Sequence, residues 1–376
     1  MSKNTIHYFF IAGETSGDIH GGKLITAIKN INPDSSFIGH GGENMEKSGM
    51  KILENTDTLG IMGFIEVIKH LPKMKKIMFN TVDIITKTKP NRIVLIDYPG
   101  FNLRLAKKIQ HLNIPITYFI LPQAWAWKAN RVKTMISTLD QALSIFPFEK
   151  KWYESMGLST DFIGHPFMDT INLKESNEKD YFKYHKLNSN HPILLLLPGS
   201  RKQEIKLHWP VFLKTVILLK RKIDNLQIVV SPAPGITLNT IPESFKIELN
   251  SRKAMRSATA AIVSSGTATL ECALENTPLV VCYKFSFISW LIIKFMSNID
   301  HASIVNLISK ETILPEYLQN KMTPKNLAEA LEPLLDISSD IRKNMLDKFD
   351  ILHKNLGEPG VYKRAAEAIV SRNNKA

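Results

Sequence analysis

The sequence of 376 residues contains little cysteine and no long apolar run. Its two cysteines, Cys272 and Cys282, form no CxxC pair, which excludes a disulfide scaffold and fits a reducing cytoplasm. No stretch reaches the ~18 apolar residues that a membrane-spanning helix needs, and the apolar run at residues 8–12 is too short for a signal peptide. We therefore expect a cytoplasmic protein, soluble or peripheral on a membrane, rather than an integral one.

Motifs of several enzyme classes are also missing. There is no Walker A loop, no HExxH and no GxSxG. No Asp-x-Asp pair occurs, so the common carboxylate clamp for a metal ion on a nucleotide sugar has no candidate, and we expect neither a metal nor another cofactor. The run from Gly39 to Asn44 places Asn44 where the dinucleotide fingerprint GxGxxG requires its third glycine, which weighs against an NAD-dependent oxidoreductase.

The charge of the chain is basic but is not concentrated in a tail. Lysine and arginine total 48 against 35 acidic residues, a formal net charge of +13. Residues 1–165 hold 20 basic and 14 acidic side chains, and the rest of the chain holds 28 and 21. This even spread fits phosphorylated substrates or an anionic membrane surface at least as well as nucleic acid, and we expect no nucleic-acid partner.

Short apolar runs alternate with longer amphipathic segments along the whole chain, which predicts parallel sheets covered by helices on both faces. The fold class is α/β, with two Rossmann-like doubly wound domains facing each other across a cleft. We expect an N-terminal domain over residues 1–165 and a C-terminal domain over residues 166–356. The helical pattern at residues 357–376 either packs back on the first domain or is exchanged between subunits, so the protein is a monomer or a homodimer. The runs are residues 8–12, 37–39, 93–97, 116–120, 142–146 and 161–163, then 193–197, 228–231, 260–263 and 279–283.

In such domains ligands bind where loops leave the carboxyl ends of the strands. The first such loop is glycine-rich and carries two acids, which is more than a tight turn with Asp18 as a helix cap requires. Its candidate ligand residues are Gly13, Glu14, Ser16, Gly17, Asp18 and His20. Asp97 follows the apolar strand at residues 93–96 and is our candidate general base, although an aspartate before Tyr-Pro-Gly also suits a turn. Trp125 and Trp127, with cations beside them, suit a sugar or lipid contact as well as a core position.

Two loops of the second half resemble phosphate sites. Ser200 and Arg201 follow an apolar strand and open a helix, which predicts a cradle of backbone N–H groups and one guanidinium. Gly266 and Thr267 open another helix, and Glu271 one turn later lies where a carboxylate can accept from ribose hydroxyls. The alternative for Glu271 is a capping box. Two such loops in one domain favour a nucleotide diphosphate.

The segment at residues 61–78 is apolar and basic at once. On general grounds such a stripe belongs to a core, but its composition also suits an element lying on anionic lipid. The candidate membrane-facing residues are Ile61, Met62, Phe64, Ile65, Ile68, Leu71, Lys69, Lys73, Lys75 and Lys76.

Eight short motifs, in order along nearly the whole chain, make the sequence resemble the lipid-A-disaccharide synthase family of bacterial glycosyltransferases. They lie at residues 12–21, 60–63, 97–102, 125–127, 162–166, 197–201, 265–271 and 315–319. The resemblance implies a metal-independent, inverting transfer of 2,3-diacylglucosamine from its UDP donor to 2,3-diacylglucosamine 1-phosphate. The products are a β-1,6-linked disaccharide 1-phosphate and UDP. The resemblance also implies that the protein lies on the inner face of the bacterial inner membrane.

The resemblance also implies roles for matching residues. Asp97 is the expected base on the acceptor 6-hydroxyl, and Glu14 is an acid that supports it or binds the acceptor. Ser200, Arg201 and Thr267 are expected diphosphate ligands, Arg201 stabilising the departing UDP, and Glu271 is the expected ribose ligand. Asn306, Glu316 and Gln319 fall in the donor-side segment, where residues 304–306 depart from the family pattern.

Three other functions fit parts of the sequence. An enzyme of the same architecture, either a UDP-sugar epimerase or a transferase acting on polyprenyl-linked precursors, would share the UDP site but differ in its acceptor face. A catalytically silent membrane-surface binding protein would tolerate exchange of Asp97 and Arg201. The interpretation as an NAD-dependent oxidoreductase is less favoured, because the dinucleotide fingerprint GxGxxG is missing.

Overall fold

A computed structural model describes residues 5–56, 64–127, 129–171, 178–238, 240–264, 266–284 and 301–373. Its contacts divide the chain into two compact units. The first unit comprises Met1–Thr170 with Leu356–Ala376, and the second is Ile171–Asn355. Each unit contains one parallel sheet, and helices connect most of its successive strands, so the prediction of two parallel α/β domains is confirmed.

The first unit is built on a seven-stranded parallel sheet in the order β3-β2-β1-β4-β5-β6-β7. The strands are β1 His7–Ala12, β2 Ser36–Gly41, β3 Met50–Asn55, β4 Arg92–Ile96, β5 Ile116–Phe119, β6 Gln141–Ser144 and β7 Asp161–Phe162. Central strands β1 and β4 pair in register, with Phe9 opposite Ile93 and Ile11 opposite Leu95. These four side chains lie in the core because a parallel sheet buries both of its faces.

Helices of the first unit connect these strands. They are α1 Thr15–Ile31, α2 Glu43–Lys47, α3 Phe64–Thr88, α4 Pro99–Ile109, α5 Ala124–Trp127, α6 Arg131–Thr138 and α7 Pro147–Ser155, followed by α8 Met168–Ile171 at the boundary of the units. The chain order reverses between the neighbours β1 and β4, so the loops that follow these two strands leave the sheet side by side. Those loops begin with Gly13 and Asp97.

The second unit repeats the arrangement with six parallel strands in the order β10-β9-β8-β11-β12-β13. The strands are β8 Ile193–Leu197, β9 Gln227–Val230, β10 Lys246–Ile247, β11 Ala260–Ser264, β12 Leu279–Tyr283 and β13 Glu316–Leu318. The helices are α9 Glu178–His185, α10 Lys202–Lys220, α11 Ser251–Ser257, α12 Thr267–Leu274, α13 Ile304–Ser309, α14 Pro324–Leu335 and α15 Asp340–Asn355. Here the order reverses between β8 and β11, and their loops are the two predicted phosphate loops.

The last helix, α16 Val361–Asn373, packs against α1 of the first unit. The Asp169 carboxylate caps its start by accepting from the N–H groups of Gly360, Val361 and Tyr362 at 2.5, 2.9 and 3.2 Å. An acid at a helix N-terminus satisfies orphan donors and the helix dipole. In the structure this helix lies on the first unit of its own chain.

None of the helices in the described part of the chain is long and apolar enough to cross a membrane.

Candidate active site

Asp97 is the first residue after β4 and has a strained backbone. Its φ of 43° and the φ of 49° at Tyr98 place two consecutive non-glycine residues in the left-handed region. Three hydrogen bonds hold the turn: the Asp97 N–H donates to the Phe119 carbonyl, and the Asp97 carbonyl accepts from Tyr118 Oη at 2.5 Å and from Asn102 Nδ2 at 2.7 Å. These hydrogen bonds hold the strained turn and therefore fix the direction in which the carboxylate leaves the sheet.

The Asp97 carboxyl titrates well above a free aspartate. Burial, followed by the negative charge of Glu14, raises its pKa from 3.8 to about 6, while the Tyr98 amide and the charge of Arg131 oppose the shift. A pKa just below neutrality suits a general base, because the carboxylate is ionised at pH 7 yet holds a proton more tightly than an ordinary aspartate. The charge of Glu14 thus acts on Asp97 across the adjacent loops that follow β1 and β4.

Glu14 precedes the first turn of α1 and is exposed. The loop before it needs a glycine, since a Cβ on Gly13 would lie 2.2 Å from the Tyr98 ring. Close packing of Gly13 on Tyr98 joins the glycine loop to the Asp97 turn. Ser16 is exposed in the first turn of α1, whereas Gly17 packs against Ala12.

Two other residues of this loop have interior roles. Asp18 is buried, and its carboxylate accepts from the N–H groups of Gly42, Asn44 and Met45 and from Asn44 Nδ2 at 2.7–3.0 Å. It therefore caps the start of α2, which differs both from the predicted ligand role and from a cap on its own helix. His20 is half-buried and its Nδ1 lies 2.7 Å from Tyr362 Oη of α16. Burial and Lys23 lower the His20 pKa to about 4.

Sequence reasoning missed Glu149, a fully buried acid at the start of α7. Its carboxylate accepts from Trp125 Nε1 at 3.1 Å and from the Phe146 N–H at 3.3 Å. Burial raises its pKa to about 7, and Asp97 contributes to that shift. The signal was present, because Glu149 stands in the third helical position after β6, where a capping acid belongs. Trp125 is half-buried with its indole N–H on this acid.

In the second unit, both predicted phosphate loops contain a glycine with positive φ. Gly199 has φ 118° and Gly266 has φ 145°, values that side chains rarely adopt. Ser200 and Arg201 stand exposed before α10, and Thr267 is exposed at the start of α12. The carboxyl ends of β8 and β11 are adjacent. The sheet therefore brings the loop that carries the Ser200 hydroxyl and the Arg201 guanidinium next to the loop that opens α12. That set of groups can bind phosphate oxygens.

Glu271 lies one turn into α12 and is half-buried. Burial raises its pKa, and Arg252, whose Nη2 lies 4.0 Å from Glu271 Oε1, opposes the shift. The capping-box alternative requires a side-chain cap from the residue before α12, and that residue is Gly266, which has no side chain. Glu271 stays a predicted ribose ligand.

In the donor-side segment, Asn306 and Glu316 hydrogen-bond to each other and to nearby backbone groups. Asn306 is fully buried: its Oδ1 accepts from the Ile313 and Leu314 N–H groups at 2.8 Å, and its Nδ2 donates to Glu316 Oε1 at 2.7 Å. It therefore braces the segment, which differs from the predicted ligand role. Glu316 also accepts from the Ala302 and Ser303 N–H groups.

Gln319 follows β13 at the carboxyl edge of the sheet, with φ 50°. Its Nε2 is buried without a hydrogen-bond partner in the described part of the chain. A buried unpaired donor is costly, so of the three donor-side residues Gln319 has the side chain best suited to a ligand.

The predicted membrane segment is described only in part. Ile61 and Met62 lie outside the described residues, and so do the side chains of Phe64, Ile65, Ile68, Lys69 and Leu71. In α3, Lys73, Lys75 and Lys76 are exposed while Ile77 and Met78 are buried. The described part of this helix thus exposes three lysines together with Phe79, and it buries Ile77 and Met78.

Comparison with known proteins places this arrangement in one family. A family model described as lipid-A-disaccharide synthetase matches residues 8–369. The chain is similar to a lipid-A-disaccharide synthase of Myxococcus xanthus, with 33% identity over 368 residues that cover 96% of each protein.

Solved structures with the same fold are more distant in sequence. A putative UDP-N-acetylglucosamine 2-epimerase from Listeria monocytogenes aligns with a TM-score of 0.69 at 14% identity, covering 99% of this chain and 97% of that one. The glycosyltransferase of kitacinnamycin aligns with a TM-score of 0.66 at 11% identity, covering 98% and 99%. At these identities the structural likeness shows the fold alone.

Proposed function

The chain belongs to the lipid-A-disaccharide synthase family, and we propose that its two units divide that family's reaction between acceptor and donor. The protein is a glycosyltransferase that uses a UDP-sugar. It transfers 2,3-diacylglucosamine from UDP to 2,3-diacylglucosamine 1-phosphate and forms the β-1,6-linked disaccharide 1-phosphate and UDP.

In the first unit, Asp97 is the base. Its carboxylate accepts the proton of the acceptor 6-hydroxyl as that oxygen attacks the anomeric carbon, and the attack inverts the configuration there. The observation that carries this assignment is the half-buried, strained Asp97 beside Glu14, with a pKa raised to about 6. Glu14 keeps the Asp97 proton affinity high and stays exposed toward substrate. Gly13, Ser16 and the start of α1 supply the rest of the acceptor loop.

In the second unit, the loops after β8 and β11 hold the UDP diphosphate. Ser200 and Thr267 offer hydroxyl groups, and Gly266 allows a close approach of the backbone. The anomeric carbon–oxygen bond breaks with its electron pair on the β-phosphate, and Arg201 stabilises that negative charge. Glu271 accepts from the ribose hydroxyls, and Gln319 donates from the edge of β13. Since Arg201 and helix starts supply positive charge, we propose that the transfer proceeds without a metal or other cofactor.

We also propose that the protein works in the cytoplasm on the inner face of the inner membrane. The support is chemical: both substrates carry acyl chains, the chain has a formal net charge of +13, and α3 exposes Lys73, Lys75 and Lys76. Basic clusters bind anionic lipid headgroups. The apolar residues 61–71 of the same segment would then contact lipid.

The test is UDP release from UDP-diacylglucosamine with and without diacylglucosamine 1-phosphate. We expect acceptor-dependent release by the native protein and a loss of ~10²–10⁴-fold in Asp97→Ala, with Arg201→Ala also impaired and both variants folded by circular dichroism. Release without acceptor, or full activity in Asp97→Ala, would overturn the assignment. An acceptor-independent product with an inverted C2 centre would indicate an epimerase instead.

A further inference from the structure

Three buried polar side chains lie beneath the phosphate loops of the second unit and have no role in the reaction as described so far. They are Glu204 and His208, one turn apart on α10, and Tyr283 at the end of β12. All three are buried. We call them the α10 cluster. A fully satisfied polar cluster in a protein interior fixes geometry, because every member loses hydrogen bonds if its neighbours move.

Glu204 connects the loop after β8 to β12. Its Oε2 accepts from the Ser200 N–H at 3.2 Å, and its Oε1 accepts from Tyr283 Oη at 2.5 Å. Arg201 Nη1 lies 3.4 Å from the same Oε1, and the Arg201 side chain is 64% exposed. Glu204 therefore engages one nitrogen of the Arg201 guanidinium, which has five N–H donors and keeps others for a ligand.

The same carboxylate explains the glycine before Ser200. A Cβ on Gly199 would lie 2.6 Å from Glu204 Oε2, and the φ of 118° already favours glycine. The Ser200 N–H donates to Glu204, so the group of Ser200 that can bind a phosphate is its hydroxyl. This refines the cradle predicted from the sequence, in which backbone N–H groups were the main donors.

His208 connects the other strand ends. Its Nε2 accepts from the Lys284 N–H at 2.9 Å, so the proton of the neutral ring is on Nδ1. Nδ1 lies 2.8 Å from Ser264 Oγ and 3.2 Å from the Pro198 carbonyl. Burial lowers the His208 pKa, which favours this neutral form. One imidazole thus joins the ends of β8, β11 and β12.

We propose that Glu204, His208 and Tyr283 are positioning residues that hold the two phosphate loops and Arg201 in the geometry that binds the UDP diphosphate. This inference rests on the proposed donor site. Its physical basis is preorganisation. A long exposed arginine loses rotamer entropy when it binds a ligand, and contacts that restrain it beforehand reduce that cost. Carboxylate repulsion of the diphosphate is limited, because hydrogen bonds from Ser200 and Tyr283 already engage Glu204.

The experiment compares binding of UDP and of uridine by calorimetry to the full-length protein. The variants are Glu204→Gln, which cannot accept from all three donors, and Tyr283→Phe, which removes one hydroxyl and keeps the ring. We expect UDP affinity to fall on the order of tenfold in Glu204→Gln and less in Tyr283→Phe. Uridine affinity should stay within about twofold, because uridine has no diphosphate. The donor KM should rise in both variants more than kcat falls.

A matched control is Glu248→Gln. Glu248 is another largely buried acid of the second unit, with Oε2 2.9 Å from His185 Nε2 and no contact with the phosphate loops. It should bind UDP like the native protein. Equal losses for UDP and uridine in Glu204→Gln would indicate a merely structural role and overturn the proposal.

Arg201→Ala separates this proposal from the donor site itself. If Arg201→Ala binds UDP as tightly as the native protein, the proposed donor site is wrong. If Arg201→Ala loses UDP while Glu204→Gln and Tyr283→Phe bind it normally, the donor site stands and the positioning role is overturned.

Discussion

Replacement of Glu14 by glutamine gives the sharpest test of the acceptor site, because the two acids there have different expected effects. Asp97 has a pKa of about 6 instead of 3.8, and burial is the largest cause, with Glu14 second. Removing the Glu14 charge should therefore lower the Asp97 pKa by a part of this shift and leave the burial contribution. Since Glu14 is exposed, solvent screens its charge, and we expect the Asp97 pKa to decrease by less than burial raises it.

The consequence is a change in the pH profile. The base is active when ionised, so with a pKa near 6 about one-tenth of Asp97 is ionised at pH 5. A lower pKa leaves a larger fraction of Asp97 ionised at pH 5, so relative activity at that pH should rise roughly threefold in Glu14→Gln. At pH 8 Asp97 is ionised in both proteins, so this charge effect disappears there. Raising the ionic strength should reduce the difference between the two profiles.

The assay is kcat/KM for acceptor-dependent UDP release from pH 4.5 to 8.5 in Glu14→Gln and in the native protein. Glu14→Asp is the matched control, since it keeps the charge. A loss of ~10²-fold or more at every pH in Glu14→Gln would show that Glu14 is itself the base. An unshifted acidic limb would refute the electrostatic coupling of the two acids.

Three further outcomes are expected. Asp97→Asn should raise stability at pH 8 by up to about 3 kcal/mol, because the folded state raises the Asp97 pKa from 3.8 to about 6 and so disfavours the ionised form. This advantage should vanish as pH falls through 6 toward 4; urea unfolding measures it, and a pH-independent difference would contradict it. EDTA should leave UDP release within about twofold, because a guanidinium and helix starts neutralise the diphosphate; a large loss restored by Mg²⁺ would contradict metal independence. Charge reversal of Lys73, Lys75 and Lys76 to glutamate should weaken sedimentation with anionic vesicles more than tenfold at low salt, at about 1 kcal/mol per lysine, and unchanged sedimentation would reject the membrane surface.

Interior side chains explain why some sequence-based expectations differ from the structure. Asp18 stands in the glycine-rich loop and Asn306 in the donor-side segment, where ligand residues were expected. Each instead forms hydrogen bonds within its own unit, mostly with backbone groups. A motif records which residue types are present and not which partners they meet. Glu149 and Glu204 were missed for a different reason. Besides a local backbone donor, each accepts from a side chain distant along the chain, Trp125 for Glu149 and Tyr283 for Glu204.

Edge strands were the other feature that the pattern of residues did not show. The strands β3, β10 and β13 lie at or near the edges of the sheets and are half-exposed for much of their length. They therefore lack the continuous apolar runs of central strands such as β4 and β8, whose residues are buried on both faces. Short edge strands form because a neighbouring strand offers free backbone groups, which is a tertiary effect.

The sequence by itself determined the local units, which are the apolar strands, the loops after them and the helices that follow. The reason is that an apolar run and a helix start are both encoded by residues close together along the chain. It also carried enough ordered motifs to point to the family. Only the tertiary structure decided which strands are neighbours. The pairing of β1 with β4 and of β8 with β11 joins segments more than 60 residues apart. That pairing places the loop of Glu14 next to that of Asp97, and the loop of Arg201 next to that of Thr267. It also determined what lies beneath them, because hydrogen-bond partners such as those of Glu204 and His208 exist only once the sheet has formed.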